Sequence, residues 1–231
     1  MAGNRSTAVR ASMKSKAASL GLFCTPPWAT RAVVEEVLLT PERLIEPGMN
    51  AWDPCCGQGH MTVPLQGYFA NVFASDLHDF GHGDNRSLDF TFADAGHAPF
   101  PIHWIIANPP FPLGEAFFDR AMRIATHGVA LFLRMQWREG VERYNTIFGT
   151  DMRPTWFVPF AERVPIIEGV WDPEASSATA YVWFVWIKGR RGPTIDRGIR
   201  PGAEERYSRI SDLVLATPGE AARRRAKAEA A

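Results

Sequence analysis

Residues 104–111 read Trp-Ile-Ile-Ala-Asn-Pro-Pro-Phe, and the rest of the predicted architecture is built around them. The first four residues form an apolar run that predicts a buried strand. The two prolines end that strand because neither has an N–H to offer a sheet. The turn therefore presents carbonyl groups, the side-chain amide of Asn108 and the flat ring of Phe111. Acceptors for an exocyclic amine beside a stacking ring are what a nucleobase-modifying site requires.

Asn108-Pro109-Pro110-Phe111 after a strand resembles the catalytic motif of S-adenosylmethionine-dependent amino-methyltransferases, above all the DNA adenine-N6 enzymes. Similar motifs occur in RNA adenine-N6 and guanine-N2 methyltransferases and, as variants, in enzymes that methylate protein glutamine. Alone, the tetrapeptide is equally consistent with a plain asparagine-initiated turn. The resemblance implies that all four residues form the catalytic site. Asn108 and the Pro109 carbonyl would accept hydrogen bonds from the target amine, and Phe111 would stack on the base.

A second motif follows the short strand predicted just before Asp53. In an open α/β sheet ligands bind where strands end, and glycine lets the backbone approach them closely. Asp-Pro-x-x-Gly-x-Gly resembles the S-adenosylmethionine-binding loop of class I methyltransferases, which implies that Asp53 faces the cofactor's ammonium group. No third glycine follows at position 62, so a dinucleotide is disfavoured. The cofactor residues implied by this loop are Asp53, Pro54, Cys55, Gly57 and Gly59. We interpret Cys55 as a small loop residue and not as the nucleophile of a cytosine-C5 methyltransferase.

Two further acids are predicted to contact the cofactor. Asp76 ends a second predicted strand over residues 71–76, about 20 residues after the glycine loop, where an acid typically binds a ribose diol. Leu77 is expected to pack near the adenine ring. Residues 90–93 predict a third strand, and the resemblance implies that Asp94, with Ala95 beside it, lies at the adenine N6.

The segment Phe-x-Thr-Pro-Pro at residues 23–27 resembles the amino-terminal motif of DNA adenine methyltransferases. This resemblance implies that Thr25, Pro26 and Trp28 lie at the methionine end of the cofactor. Alternatively, Thr25 only caps the helix that helical apolar spacing predicts over residues 27–39. The family often has an aromatic residue where this chain has Cys24.

The second half of the chain resembles compact phage- and prophage-type DNA methyltransferases, so the predicted methyltransferase domain covers residues 21–190. Its loops after the predicted strands would lie near the target base. The nucleic-acid contact candidates in these loops are Arg138, Arg143, Arg163 and Trp171. Surface ion pairing explains the arginines equally well.

Both predicted ends of the chain are basic. Residues 1–20 hold 4 basic and no acidic residues, and residues 189–231 hold 10 basic and 6 acidic ones. We predict a flexible basic arm over 1–20 and a partly disordered basic tail over 191–231. Basic ends could follow a phosphate backbone, but solvated tails are the commoner case.

The 231 residues, 46% of them hydrophobic, predict one Rossmann-like α/β domain of the class I methyltransferase type, with a mostly parallel seven-stranded sheet and an antiparallel last strand. Three cysteines and no membrane-spanning run predict a cytoplasmic protein. The histidines at 78 and 82 lack the support that zinc requires, so no metal is expected.

The expected function is methyl transfer from S-adenosylmethionine to adenine N6 in DNA. An RNA base methyltransferase, a protein-glutamine methyltransferase and a non-catalytic nucleic-acid binder are the alternatives. Little of the chain is left for a separate target-recognition domain. Low sequence specificity is therefore expected unless loops or a partner supply it.

Overall fold

A seven-stranded sheet is the centre of the structure, a computed structural model that describes residues 21–230. The predicted arm over 1–20 lies outside the described residues. Across the sheet the strands follow the order β2-β1-β3-β4-β6-β5-β7. Their bounds are β1 Asn50–Asp53, β2 Asn71–Ala74, β3 Trp104–Ala107, β4 Gly128–Arg134, β5 Trp156–Pro159, β6 Tyr181–Ile187 and β7 Ile195–Asp196.

The strand directions confirm the predicted fold class. Strands β2, β1, β3 and β4 are parallel, and β6 runs antiparallel to both of its neighbours. β6 pairs with the whole of β4, from Gly128 opposite Ile187 to Arg134 opposite Tyr181. The short strand β7 then lies parallel to β5 at the edge. It was not predicted, because two exposed residues carry no alternating pattern.

Helices cover both faces of the sheet, because alternate residues of each buried strand point to opposite sides. In β4, Ala130 and Phe132 belong to the same apolar cluster as helix α1 (Pro27–Val33), whereas Val129 and Leu131 belong to the cluster that contains helix α3 (Gly114–Ile124). None of the helices within residues 21–230 is both long and apolar enough to cross a bilayer. The helices are α1 Pro27–Val33, which continues as a π-helix over Val34–Leu38, α2 Thr62–Leu65, α3 Gly114–Ile124, α4 Val141–Arg143, which continues as a π-helix over Tyr144–Phe148, α5 Ala203–Tyr207 and α6 Glu220–Glu229.

The predicted third strand over residues 90–93 is wrong, because Phe90–Phe92 forms a 3₁₀ helix. The Asp89 carboxylate accepts hydrogen bonds from the Thr91 backbone N–H at 2.9 Å and from the Thr91 hydroxyl at 2.6 Å. This local bonding satisfies the backbone without a neighbouring strand. Phe90 is buried and Phe92 is 80% exposed, whereas both would face one side in a strand.

The stretch predicted as a partly disordered tail over 191–231 contains β7, α5, a 3₁₀ helix over Ile210–Leu215 and α6 instead. A bidentate ion pair between Arg31 of α1 and Asp212 holds this stretch against the domain, with both N–O distances 2.6 Å. The two side chains are only 3% and 2% exposed. Arg31 also donates to the Tyr207 carbonyl at 3.0 Å. This part of the chain therefore belongs to the folded domain.

We expect Arg31→Met to lower the free energy of unfolding by about 3–5 kcal/mol, because it leaves the buried Asp212 carboxylate unpaired. The double variant Arg31→Met/Asp212→Leu should recover most of this loss. Urea unfolding measures both. The control is Arg191→Met, which breaks an exposed pair with Asp151 and should cost no more than about 1 kcal/mol. Equal losses for Arg31→Met and Arg191→Met would contradict the anchoring role.

Candidate functional site

A cavity of about 400 Å³ opens at the carboxyl ends of β1 and β3. β2 and β3 flank β1 on opposite sides, so the order of the strands reverses at β1. Ligands of open α/β sheets bind in the crevice at such a reversal. Four segments supply most of the wall, namely residues 21–25, the glycine loop, the end of β2 and the Asn-Pro-Pro-Phe turn. Of the predicted site residues, those that line the cavity are Thr25, Asp53, Pro54, Cys55, Gly57, Asp76, Leu77, Asn108 and Pro110.

Asp53 is a fully buried acid in the cavity wall. Its Oδ2 atom accepts a hydrogen bond from the Thr62 hydroxyl at 2.7 Å. No partner within hydrogen-bond geometry reaches its buried Oδ1 atom among the described residues. Burial raises the pKa of the carboxyl to about 7; the Thr62 hydroxyl opposes this shift, the Asp76 charge adds to it, and the Cys55 backbone N–H opposes it. An unpaired buried carboxylate oxygen in a ligand cavity fits a cationic group of the ligand.

Asp76 connects the glycine loop to the end of β2. Its Oδ2 atom accepts the Gly57 N–H at 2.9 Å, and its Oδ1 atom accepts the His78 N–H at 3.0 Å. Each carboxylate oxygen retains a lone pair after these bonds, so both can still accept from a diol. The two N–H groups fix the orientation of the carboxylate before any ligand arrives.

In the glycine loop, Cys55 and Gly57 line the cavity, whereas Gly59 does not. Gly57 has φ +51°, and a Cβ there would lie 2.6 Å from Leu22 Cδ1. Gly59 has φ +89° and lies outside the cavity wall, where its missing side chain makes room for the His82 ring, 2.7 Å from an ideal Cβ. Cys55 lines the cavity, and burial raises the pKa of its thiol well above the usual value, which disfavours a nucleophilic thiolate.

The Asn108 amide is held by the amino-terminal segment. Its Nδ2 atom donates to the Phe23 carbonyl at 2.8 Å and to the Thr25 hydroxyl at 3.0 Å. Both N–H bonds of the amide are thereby used, and Oδ1 has no hydrogen-bond partner within residues 21–230. The turn thus presents a free, oriented acceptor at the cavity wall.

The other three residues of the turn have different positions. Pro110 lines the cavity, and Pro109 is buried and does not. Phe111 also lies outside the cavity wall, where its ring contacts Phe23 and Tyr181 at centroid distances of 5.2 and 5.8 Å. The Arg134 guanidinium lies 3.9 Å from the centre of the Phe111 ring.

Asp94 and Ala95 do not line the cavity, so their place at the adenine stays a prediction. Asp94 is 73% exposed and caps a 3₁₀ turn by accepting the Gly96 N–H at 2.9 Å. Asp89 and Phe90 line the cavity instead. Because the chain turns into a 3₁₀ helix after Asp89, the acid at the strand-like position comes five residues earlier than predicted. The Asp-x-Thr pattern was the signal that could have identified it.

Pro26 and Trp28 are buried and lie outside the cavity wall, so their assignment to the cofactor stays a prediction. Trp28 has no exposed surface and packs edge-on against Phe160 at 5.7 Å. Its role is to fix α1 against the sheet. A resemblance to a motif does not separate residues that face the ligand from those that hold the motif in place.

Two of the four nucleic-acid candidates make contacts within the domain. Arg143 pairs with Glu115 at 2.9 Å and donates to the Trp137 carbonyl at 2.8 Å. Trp171 is 3% exposed, with its ring edge-on to the ring of His60.

Arg138 and Arg163 are exposed and form no ion pair with a described carboxylate. Arg138 contacts the faces of Phe148 and Phe157, and Arg163 borders a second cleft of about 290 Å³ beyond β5 and β6. The same edge of the sheet carries Arg134, which the sequence did not single out.

The cavity also has walls that the sequence did not indicate. His60 Nε2 lies 2.9 Å from the Leu215 carbonyl, which only accepts, so this nitrogen is the protonated one. Burial lowers the pKa of His60 and favours the neutral ring. The remaining unpredicted wall residues are mostly apolar or aromatic and include Phe80, Leu88, Leu113 and Phe117. No group of three or more acidic, cysteine or histidine side chains in the described chain is placed to bind a metal ion.

No family model and no curated protein matches the chain. Several solved structures are similar to the chain in fold. A type I restriction-modification system methyltransferase subunit from Streptococcus thermophilus superposes with a TM-score of 0.57 at 11% identity, covering 80% of this chain and 52% of that one. The modification subunit of a candidate type I restriction enzyme from Vibrio vulnificus gives a TM-score of 0.52 at 14% identity, over 90% and 54% of the two chains.

A candidate class I S-adenosylmethionine-dependent methyltransferase from Listeria monocytogenes gives a TM-score of 0.50 at 12% identity, over 88% of this chain and 72% of that one. The strand order and these superpositions agree. The chain has the class I methyltransferase fold. It spans about half the length of the two restriction-system subunits.

Within the class I methyltransferase fold, β6 is the antiparallel strand inserted between β4 and β5. It brings Tyr181 to the carboxyl end of β4, next to Arg134 and the Phe111 ring. This chain therefore has two concave regions at the carboxyl ends of its parallel strands. The cavity lies on one side of the Asn-Pro-Pro-Phe turn and the second cleft lies on the other.

Proposed function

We propose that this chain transfers a methyl group from S-adenosylmethionine to the N6 amine of adenine in DNA. The observation that carries the proposal is the Asn108 amide, whose two N–H bonds are occupied by Phe23 and Thr25 so that Oδ1 remains as an acceptor. Such an acceptor at the wall of a cavity fits a substrate with an N–H group, and an exocyclic amine has that group.

The cavity residues fit S-adenosylmethionine. Asp53, with its unpaired Oδ1, would hold the ammonium group, and Asp76 would hold the ribose diol. Leu77, Leu88 and Phe90 offer an apolar surface to the adenine ring. When bound, S-adenosylmethionine supplies an electrophilic methyl group. The class I methyltransferase fold of the neighbouring structures supports this cofactor.

Asn108 would act on the target amine. Its Oδ1 atom and the Pro109 carbonyl would each accept an N–H of that amine, which keeps the nitrogen lone pair out of the ring and makes it a better nucleophile. The nitrogen gains positive charge as its bond to the methyl carbon forms and the carbon–sulfur bond breaks, so fixed acceptors stabilise the transition state more than the ground state. The neutral thioether is the leaving group, and the methylated nitrogen would then lose one N–H proton to solvent. Alignment of donor and acceptor supplies a further share of the rate.

Phe111 would stack on the flipped base. Because the Arg134 guanidinium lies 3.9 Å above the ring, stacking on that face requires Arg134 to move aside. A displaced guanidinium could then bind a phosphate of the target strand.

The unpaired arginines favour a nucleic-acid substrate over a protein one. Arg134 is the last residue of β4, and Arg138 and Arg163 follow the carboxyl ends of β4 and β5; none of the three pairs with a described carboxylate. Arginines elsewhere on the surface, such as Arg123 and Arg191, do form such pairs. Guanidinium groups without a carboxylate partner can bind phosphates. Two neighbouring structures being subunits of restriction systems favours DNA.

The double variant Arg138→Ala/Arg163→Ala should bind duplex DNA more weakly at every salt concentration. Each lost phosphate contact lowers the slope of log affinity against log salt by about 1, so a fall of about 2 is expected. Fluorescence anisotropy with a labelled duplex at several salt concentrations measures both. Arg191 lies beyond the end of β6, at the opposite end of the strands from Arg138 and Arg163. Arg191→Ala should therefore change neither the affinity nor the slope. If both variants bind duplex DNA with the same affinity and the same salt slope, Arg138 and Arg163 do not contact the DNA.

Methyl transfer from labelled S-adenosylmethionine tests the function itself. Unmethylated duplex DNA, single-stranded DNA, ribosomal RNA and cell protein are offered in parallel, and products are identified by nucleoside or amino-acid analysis. N6-methyladenine in DNA is the expected product. Label in RNA or in glutamine would replace the substrate. Cofactor binding without label in any acceptor would favour a binding protein or a missing partner.

A further inference from the structure

Thr25 makes a contact that neither helix capping nor cofactor binding explains. α1 begins after Pro26, and no side chain caps its first turn, so the Thr25 hydroxyl is not a helix cap. That hydroxyl instead accepts a hydrogen bond from Asn108 Nδ2 at 3.0 Å. The side chain is only 3% exposed, although it borders the cavity.

The segment that carries Thr25 is itself held in place. Phe23 forms an antiparallel bridge with Glu168, and the Leu22 carbonyl accepts the Gly169 N–H at 2.8 Å. The Phe23 ring also packs on Phe111. The segment therefore contacts both ends of the Asn-Pro-Pro-Phe turn, through hydrogen bonds at Asn108 and through ring contact at Phe111.

The two acceptors decide which way the Asn108 amide faces. The Phe23 carbonyl can only accept, so it binds the NH₂ end of the amide. The Thr25 hydroxyl takes the second N–H and leaves no free donor on Asn108. Donation by the NH₂ group polarises the amide and makes its oxygen a stronger acceptor.

We propose that Thr25 is a positioning residue for methyl transfer, which fixes the Asn108 amide so that Oδ1 faces the target amine. This inference rests on the proposed function. It replaces the expectation that Thr25 serves the cofactor, and it assigns the amino-terminal Phe-x-Thr motif to the geometry of the catalytic turn. Without the hydroxyl, the amide is held at one N–H only and can rotate out of line.

The test compares Thr25→Val, which keeps the shape of the side chain and removes the acceptor, with Thr25→Ser, which keeps the hydroxyl. Thr25→Val should lower the single-turnover rate of methyl transfer about 10- to 100-fold, because small misplacements of a reacting group cost this much. Its Kd for S-adenosylmethionine, measured by calorimetry, should stay within about threefold, since the pairing with Asp53 is untouched. Thr25→Ser should restore most of the rate.

Thr30→Val is the matched control, because it makes the same change nearby in α1, at a buried hydroxyl with no hydrogen-bond partner among residues 21–230. Its rate should equal that of the wild type. A Thr25→Val variant that binds the cofactor tenfold or more weakly but turns over normally when saturated would overturn the proposal, as would an unchanged rate. If the wild-type protein transfers no methyl group, the proposed function fails instead, and the two failures are distinguishable.

Discussion

Replacing Asn108 by alanine is expected to abolish methyl transfer while leaving cofactor binding largely intact. The substitution removes the Oδ1 acceptor at the turn, and losing one fixed group that stabilises developing charge costs about 10²–10³-fold in rate. Loss of the Asn108 bonds to Phe23 and Thr25 also frees the turn to move, which adds to the defect. Single-turnover transfer from labelled cofactor and calorimetric cofactor binding are the two measurements.

Asn71→Ala is the control for this variant. Asn71 lies at the amino end of β2, away from the cavity, and donates to the Asn50 side chain at 2.9 Å. Its loss should leave the rate of transfer unchanged. If the main defect of Asn108→Ala is a loss of cofactor affinity, the assignment of Asn108 to the target amine is wrong.

Asp53→Asn is expected to have opposite effects on cofactor binding and on the stability of the free protein. The variant cannot pair with an ammonium group, so its Kd for S-adenosylmethionine should rise about 100-fold, the usual scale for breaking a buried charge pair. Its Kd for 5′-methylthioadenosine should hardly change, because that ligand has the nucleoside and sulfur but no ammonium. The difference between the two ligands isolates the interaction at Asp53.

The stability effect follows from the pKa of Asp53, which burial raises to about 7 from an ordinary value of 3.8. A raised acid pKa means that the folded state holds its proton more tightly than the unfolded state. The contribution of the protonated carboxyl to stability is therefore fully present below pH 4 and is lost as the pH rises through about 7. At pH 8, Asp53→Asn removes the buried charge, and we expect the melting temperature of the ligand-free protein to rise by about 5 °C.

The same pKa gives wild-type cofactor binding a pH dependence. Only the ionised carboxylate pairs with an ammonium group, so the affinity for S-adenosylmethionine should increase as the pH rises through about 7. Asp53→Asn should abolish this dependence, whereas Asp151→Asn, which changes a 70%-exposed acid at the opposite edge, should keep it. A pH-independent wild-type affinity would place the ammonium group elsewhere in the cavity.

The parts of the site that could be predicted are those set by local chain features. Asp53 is the last residue of β1, and Asp76 follows closely after β2, so their position at the carboxyl ends of the strands could be predicted without the structure. The position of Asn108 could be predicted as well, because the two prolines fix where β3 ends. The antiparallel strand β6 was predicted from its length and its run of aromatic residues.

The remaining features depend on contacts that the chain sequence does not display. Asp89, and not Asp94, lines the cavity because a hydrogen bond from backbone to side chain turns residues 90–92 into a 3₁₀ helix. Arg143 looked free for nucleic acid, but its partner Glu115 lies 28 positions away in the sequence. The ion pair of Arg31 spans 181 positions. No periodicity or composition predicts such a pairing.

The Arg31–Asp212 pair has a consequence for biosynthesis. A ribosome makes Arg31 181 positions before it makes Asp212. The buried ion pair that joins them can form only after Asp212 has left the exit tunnel, because an Arg31 buried without its counter-ion is costly. Strands β1 to β4 precede Asp212 in the chain and can pair before this contact forms.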